Sequence, residues 1–134
     1  MSLLGLDVGG NGCRALVISL QGVVLANVGR GYGGANPPGC ELEVRRIWTA
    51  VADALQEAAA RTTGDPITAM AISSVGEAIT PLGRDGVVLA SCLLDRDARG
   101  REEVARLVKQ LGPEHVHDIT GRAPGRSHTL AKLC

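Results

Sequence analysis

The stretch LGLDVGGNGCRALVISL, Leu4 to Leu20, decides the fold. Two runs rich in Leu, Val and Ile flank a turn built on Gly9, Gly10 and Gly12. Residues 3–8 and 13–20 therefore read as two strands joined by a tight turn. A dinucleotide-binding unit needs a helix directly after its glycines, whereas RALVISL reads as a strand. The phosphate-loop pattern G-x-x-x-x-G-K-[ST] is absent from the chain.

Asp7 is the unusual residue of the stretch, an acid inside an apolar run. Backbone N–H groups of a glycine-rich turn can converge on an oxyanion, because no Cβ obstructs them. A carboxylate at the end of the preceding strand can hold a hydrated Mg²⁺ beside phosphate oxygens. A tight hairpin with Asp7 near a sheet edge accounts for the same residues without any ligand.

Working outward, Gly22 turns the chain again and Val23–Asn27 completes a three-strand antiparallel meander. Gly29 to Cys40 is a loop, too densely punctuated by Gly and Pro for a regular element. Val44, Ile47, Trp48, Val51, Leu55 and Ala58 then recur at helical spacing, and the helix ends near Thr62–Gly64. Trp48 is expected to anchor that helix in the core. Ile67–Ser74 reads as a central parallel strand behind a helical crossover. Ile79–Leu82 and Val87–Ala90 flank GRDG as a hairpin. A second helix is expected from about Ala98 to Gln110, stopped by Gly112–Pro113. Glu114–Ile119 forms one short turn, Gly121–Ser127 a loop, and Thr129–Cys134 opens a further helix.

Composition narrows the class. The 134 residues suit one modest domain that buries roughly two thirds of its unfolded surface. Tyr32 and Trp48 are the only aromatics, so Leu, Val, Ile and Ala must fill the core. Fourteen basic and fourteen acidic residues cancel, which gives no bulk attraction to nucleic acid or an anionic membrane. No apolar run approaches the length of about 18 residues that a spanning helix requires. The start, MSLLGLD, lacks a secretory signal, and a cytoplasmic location is the expectation. Cys13, Cys40, Cys92 and Cys134 are scattered and read as ordinary thiols.

Leu4 to Ala26 resembles the opening of the FGGY family of carbohydrate kinases, in the actin-like ATPase superfamily. The likeness continues through ELEVRRIWTAVADAL (Glu41 to Leu55), ITAMAISSVGEAITPLGRDGVVLA (Ile67 to Ala90), LLDRDAR (Leu93 to Arg99) and DITGRAPGRSHTLAKL (Asp118 to Leu133). The resemblance implies an actin-like, ribonuclease-H-like α/β domain: a mixed sheet with the three-strand meander and a crossover helix. It also implies ATP-dependent phosphorylation of a sugar or polyol hydroxyl with Mg²⁺.

Residue by residue, the resemblance sets Asp7 near metal and phosphates, and Gly9, Gly10, Asn11 and Gly12 in the first phosphate-binding turn. Gly10 stands where the family usually carries threonine, and the amide of Asn11 can take over part of that hydroxyl's role. Arg14 falls toward the polyol side. Glu77, in the Ser74-Val75-Gly76-Glu77 segment, matches a glutamate that binds polyol hydroxyls. Asp95 and Arg96 match the start of a Trp-x-Asp-x-Arg-like segment in which Leu93 stands where tryptophan is frequent and Asp97 stands at the arginine position. Taken alone, Glu77 reads as an exposed strand-end acid, Asp95 and Arg96 as a helix-start acid and a surface base, and Arg14 as an outer-face residue.

No residue here matches the family's catalytic aspartate, which with the adenosine-binding domain lies beyond the region covered. The chain is thus expected to be the amino-terminal part of such a kinase, inactive alone. It would partner the remainder of the kinase chain and could self-associate through apolar surface. A non-catalytic interaction module and another actin-like phosphotransferase are the competing readings.

Overall fold

The computed structural model describes residues 1–33, 40–125 and 128–133. The first antiparallel hairpin pairs β1 (Ser2–Val8) with β2 (Gly12–Ser19), and β2 pairs in turn with β3 (Val24–Gly31). The meander is therefore as expected, but β3 runs on through Gly29–Gly31. Those glycines complete the ladder against Gly12 and Arg14, so pairing overrides their weak strand propensity. The expected loop beyond Gly33 lies outside the described residues until Cys40.

A two-residue strand β4 (Glu41–Leu42) leads into α1 (Val44–Arg61). The helix stops where the Thr62 hydroxyl donates to the carbonyl of Ala58 at 3.0 Å. The crossover delivers β5 (Ile67–Ser74), which pairs parallel to β1. The sheet order is β3-β2-β1-β5, so β5 is an edge strand of the described sheet rather than a central one.

Side chains alternate between the two faces of the sheet. Leu4, Leu6, Ala15, Val17, Ala26 and Val28 point to one face and are buried against α1. The helix meets them with Ala50, Val51, Ala54 and Ala58, of which Ala54 and Ala58 are wholly buried. Such small contact residues let the helix settle close to the strands, and Tyr32, also buried, adds an aromatic ring to the same core. Trp48 is not a core anchor: it is 72 % exposed, on the flank of the helix beside Val44 and Val88. The sheet-facing stripe is built for alanine, so the indole is turned away from it. α1 packs on β2 and β3. Met70 and Ile72, register partners of Leu4 and Leu6, remain 54 % and 63 % exposed.

After β5 the chain makes a Leu82–Val88 bridge and a second bridge, Ile79–Leu93. β6 (Cys92–Leu93) pairs with β4, a long-range contact that local pattern did not signal. The chain then folds into α2 (Arg101–Leu111), α3 (Pro113–Thr120) and α4 (Thr129–Lys132). The expected short turn at Glu114–Ile119 is a full helix, with Pro113 at its first position and Gly121 left-handed at its end. Among the described residues, no helix is long and apolar enough to cross a membrane.

Candidate functional site

Asp7 is next to last in β1, and the hairpin register sets it opposite Arg14. Both lie on the sheet face away from α1, because Leu6 and Ala15 take the other. They border a shallow depression of about 360 Å³ with Gly5, Leu16, Ala71 and Ser73. Arg14 donates to Asn27 Oδ1 at 3.1 Å across β2 and β3. Among the described residues Asp7 has no ion-pair partner, and its carboxylate is exposed.

The glycine turn divides into two roles. Gly9 donates its N–H to the Gly12 carbonyl at 2.9 Å, which closes the turn. A Cβ at Gly12 would stand 2.4 Å from the Arg30 carbonyl oxygen, and one at Gly9 would stand 3.8 Å from Asp7 Oδ2. The tighter contact of a Cβ at Gly9 is with the Gly12 carbonyl oxygen, at 3.2 Å, so Gly9 serves the closure of the turn, and Gly12 allows β3 to approach. Gly10 has open space around it, so a side chain such as threonine fits there. Asn11 is exposed, and its carbonyl accepts from the Tyr32 N–H at 3.2 Å.

The parallel strands β1 and β5 end level, at Val8 and Ser74, and Val75 N–H donates to the Val8 carbonyl at 2.9 Å. The glycine turn and the Val75–Glu77 turn therefore emerge together beyond the carboxyl ends of the parallel pair. That is where open α/β sheets bind ligands.

Glu77 adopts a left-handed backbone, φ 63°, which is uncommon for a residue with a Cβ. Its carboxylate accepts from Arg122 Nη1 at 2.8 Å and from both the N–H and the hydroxyl of Thr129. The Thr129 hydroxyl, foremost among these donors, holds the Glu77 carboxyl below the usual glutamate range. Lys132 Nζ donates to the Glu77 carbonyl at 2.6 Å and to the Leu94 carbonyl at 2.8 Å. The structure thus draws Glu77 and the turn carrying Asp95 together. Arg14 makes no hydrogen bond to either acid among the described residues.

Asp95 is half-buried and Arg96 exposed. In the same segment Asp97 pairs with Arg99. Arg99 donates to Asp97 through Nε at 2.9 Å and Nη2 at 2.7 Å, and through Nη2 to Glu41 at 2.6 Å. Asp97 is 2 % exposed, and the Arg99 hydrogen bonds hold its carboxyl below the usual aspartate range. The spacing Asp97-x-Arg99 also meets the Asp-x-Arg half of the segment pattern, a signal that the assignment to Asp95 and Arg96 passed over. Arg122, Thr129 and Lys132 were likewise not legible as partners of Glu77, because they come from distant sequence.

One cofactor fit can be judged from these residues. No group of three metal-ligating side chains occurs among the described residues. Mg²⁺ commonly takes only one or two carboxylates and completes its shell with water and phosphate oxygens. A single exposed Asp7 beside a turn of three glycines and Asn11 fits that use.

A mixed sheet of an antiparallel meander plus a parallel strand behind a crossover helix is the partial actin-like, ribonuclease-H-like α/β fold. Residues 2–134 match the N-terminal domain of the FGGY family of carbohydrate kinases, and the chain belongs to that family. It is 24 % identical over 133 residues to a xylulose kinase of Staphylococcus xylosus, covering 98 % of this chain and 28 % of that protein. A "xyloylose kinase" from Brucella ovis superposes with a TM-score of 0.88 at 26 % identity, over 99 % of this chain and 28 % of that one. A xylulose kinase from Rhodospirillum rubrum gives 0.90 at 24 % identity, with the same two shares, 99 % and 28 %. The chain therefore spans under a third of the length of these relatives.

Proposed function

We propose that this chain supplies the phosphate-facing turn and one sugar-facing wall of an ATP-dependent kinase acting on a sugar or polyol hydroxyl. The observation that carries the reading is the shared position of the Gly9–Gly12 turn and the Glu77 turn beyond the level ends of β1 and β5. It gains weight from the family match over residues 2–134. In this reading Asp7 holds Mg²⁺, and Gly9, Gly10, Asn11 and Gly12 border the phosphates. Bound there, the ion neutralises phosphate charge. Glu77 and Asp95 face the substrate hydroxyls, with Arg14 and Arg96 at the margins. With Thr129 on Glu77 Oε2 and Arg122 on Oε1, Glu77 has Oε1 left to accept a hydroxyl, while the Asp95 carboxylate can accept two and fix a polyol's orientation.

The catalytic base and the adenosine pocket belong to the remainder of a longer kinase chain. The 134 residues alone are expected to fold at least in part and to lack turnover. The experiment is an assay of the full-length protein with Mg²⁺-ATP against glycerol, erythritol, xylulose, ribulose and gluconate, products being read by mass spectrometry. Asp7→Asn should lower turnover at limiting Mg²⁺ by about 1.5–3 kcal/mol of transition-state stabilisation and leave the fold intact. Unchanged turnover at limiting Mg²⁺ removes Asp7 from the site.

A second reading, an interaction module that self-associates, is favoured by exposed Met70 and Ile72 on the edge strand β5. Sedimentation of the full-length protein, with Ile72→Lys as the control, separates it from the first, because self-association that persists in the complete chain and is lost in the variant belongs to this reading alone.

A further inference from the structure

We propose that Lys132 is a positioning residue of this site, clamping the turn that carries Glu77 to the turn that carries Asp95. What the clamp serves rests on the sugar-kinase reading above; the clamp itself rests on geometry alone. The two turns diverge from the Ile79–Leu93 bridge, where paired backbone bonds of 3.0 and 2.8 Å hold them. Beyond that bridge the left-handed backbone of Glu77 takes its carbonyl out of any ladder. Leu94 is almost wholly buried. Its carbonyl also accepts from the Asp97 N–H at 3.0 Å, so Lys132 adds a second, charged donor there and ties it to the Glu77 carbonyl. One ammonium serves both carbonyls, at 2.6 and 2.8 Å. A compact charge with three donors on a flexible stem suits two acceptors from different segments better than a planar fork does.

Lys132 is delivered by α4, and α4 is seated tightly. A Cβ at Gly100 would stand 2.6 Å from the Ala131 carbonyl oxygen, so only glycine lets the two segments touch. From the same short helix Thr129 donates twice to Glu77 Oε2, while Arg122 holds Oε1. The helix thus grips Glu77 through its backbone and its carboxylate together. The acid is fixed before substrate arrives, which lowers the ordering cost of binding.

The test compares Lys132→Met with wild type in the full-length protein, by hydrogen exchange and steady-state kinetics. Amides of residues 76–80 and 93–97 should exchange faster together, by about ten- to a hundred-fold, while residues 44–61 keep their protection. KM for the sugar should rise with KM for ATP unchanged, and Lys132→Arg should recover part of both effects. Unchanged exchange at either turn overturns the clamp. Faster exchange with equal rises in both KM values overturns the positioning role, leaving a plain structural anchor. If wild type shows no sugar-dependent turnover but exchange responds as expected, the kinase reading falls and the clamp stands. Should Lys132→Met fail to fold, Lys132→Gln, which keeps a donor for one carbonyl, is read by the same criteria.

Discussion

Asp97 and Arg99, two positions apart, close on each other at 2.7 Å with the carboxylate buried and the guanidinium half-exposed. The asymmetry decides which partner matters more. Removing the Arg99 side chain leaves a charge that is 2 % exposed with the residue-99 backbone N–H, at 2.9 Å, but no counter-charge on that side, whereas removing Asp97 frees a guanidinium that reaches water. Arg99→Met should therefore cost about 3 kcal/mol and Asp97→Asn about 1–2 kcal/mol. Urea unfolding of both variants checks the order; an equal or reversed ranking would refute the account.

Stability should fall in acid. Asp97 and Glu77 titrate below their ordinary values, 3.8 and 4.5, in the folded state. Their contribution is fully present above the unfolded values and is lost as pH drops through the folded ones. The Tm should stay nearly level from pH 7 to about 5 and decline below about 4. Asp97→Asn with Glu77→Gln should flatten that decline; a slope identical to wild type would show that other groups control it.

The glycine turn should discriminate sharply between neighbouring positions. Gly12→Ala drives a Cβ to 2.4 Å from the Arg30 carbonyl oxygen, a backbone atom that cannot swing aside. A loss of about 2 kcal/mol or more is expected. Gly10→Thr enters open space and should change Tm by no more than a degree or so. Thermal melts of the two variants suffice, and equal losses would argue against this geometry.

Helix α1 should tolerate loss of its largest side chain better than enlargement of a small one. Trp48→Ala removes an exposed indole and is expected to cost less than about 1 kcal/mol. Ala54→Leu forces extra carbons between helix and sheet, at about 1–3 kcal/mol or more. A larger loss for Trp48→Ala in the isolated chain would show that the indole is covered after all.

The sequence alone determined the meander and the crossover helix, whereas the facing of Asp7 with Arg14 came from the observed register. The meander and the helix follow from short-range rules: period-two alternation, helical spacing, and a glycine turn. Local spacing also put the Gly9–Gly12 turn at the end of a strand. Tertiary structure alone decided the partners of Glu77, since Arg122, Thr129 and Lys132 reach it from a segment far along the chain. It likewise decided that Trp48 lies outside the core and that Asp97, rather than Asp95, is the buried acid. Periodicity states which residues share a face, but not what covers that face. Cover depends on which distant elements meet there, and on whether alanines or larger side chains set their separation.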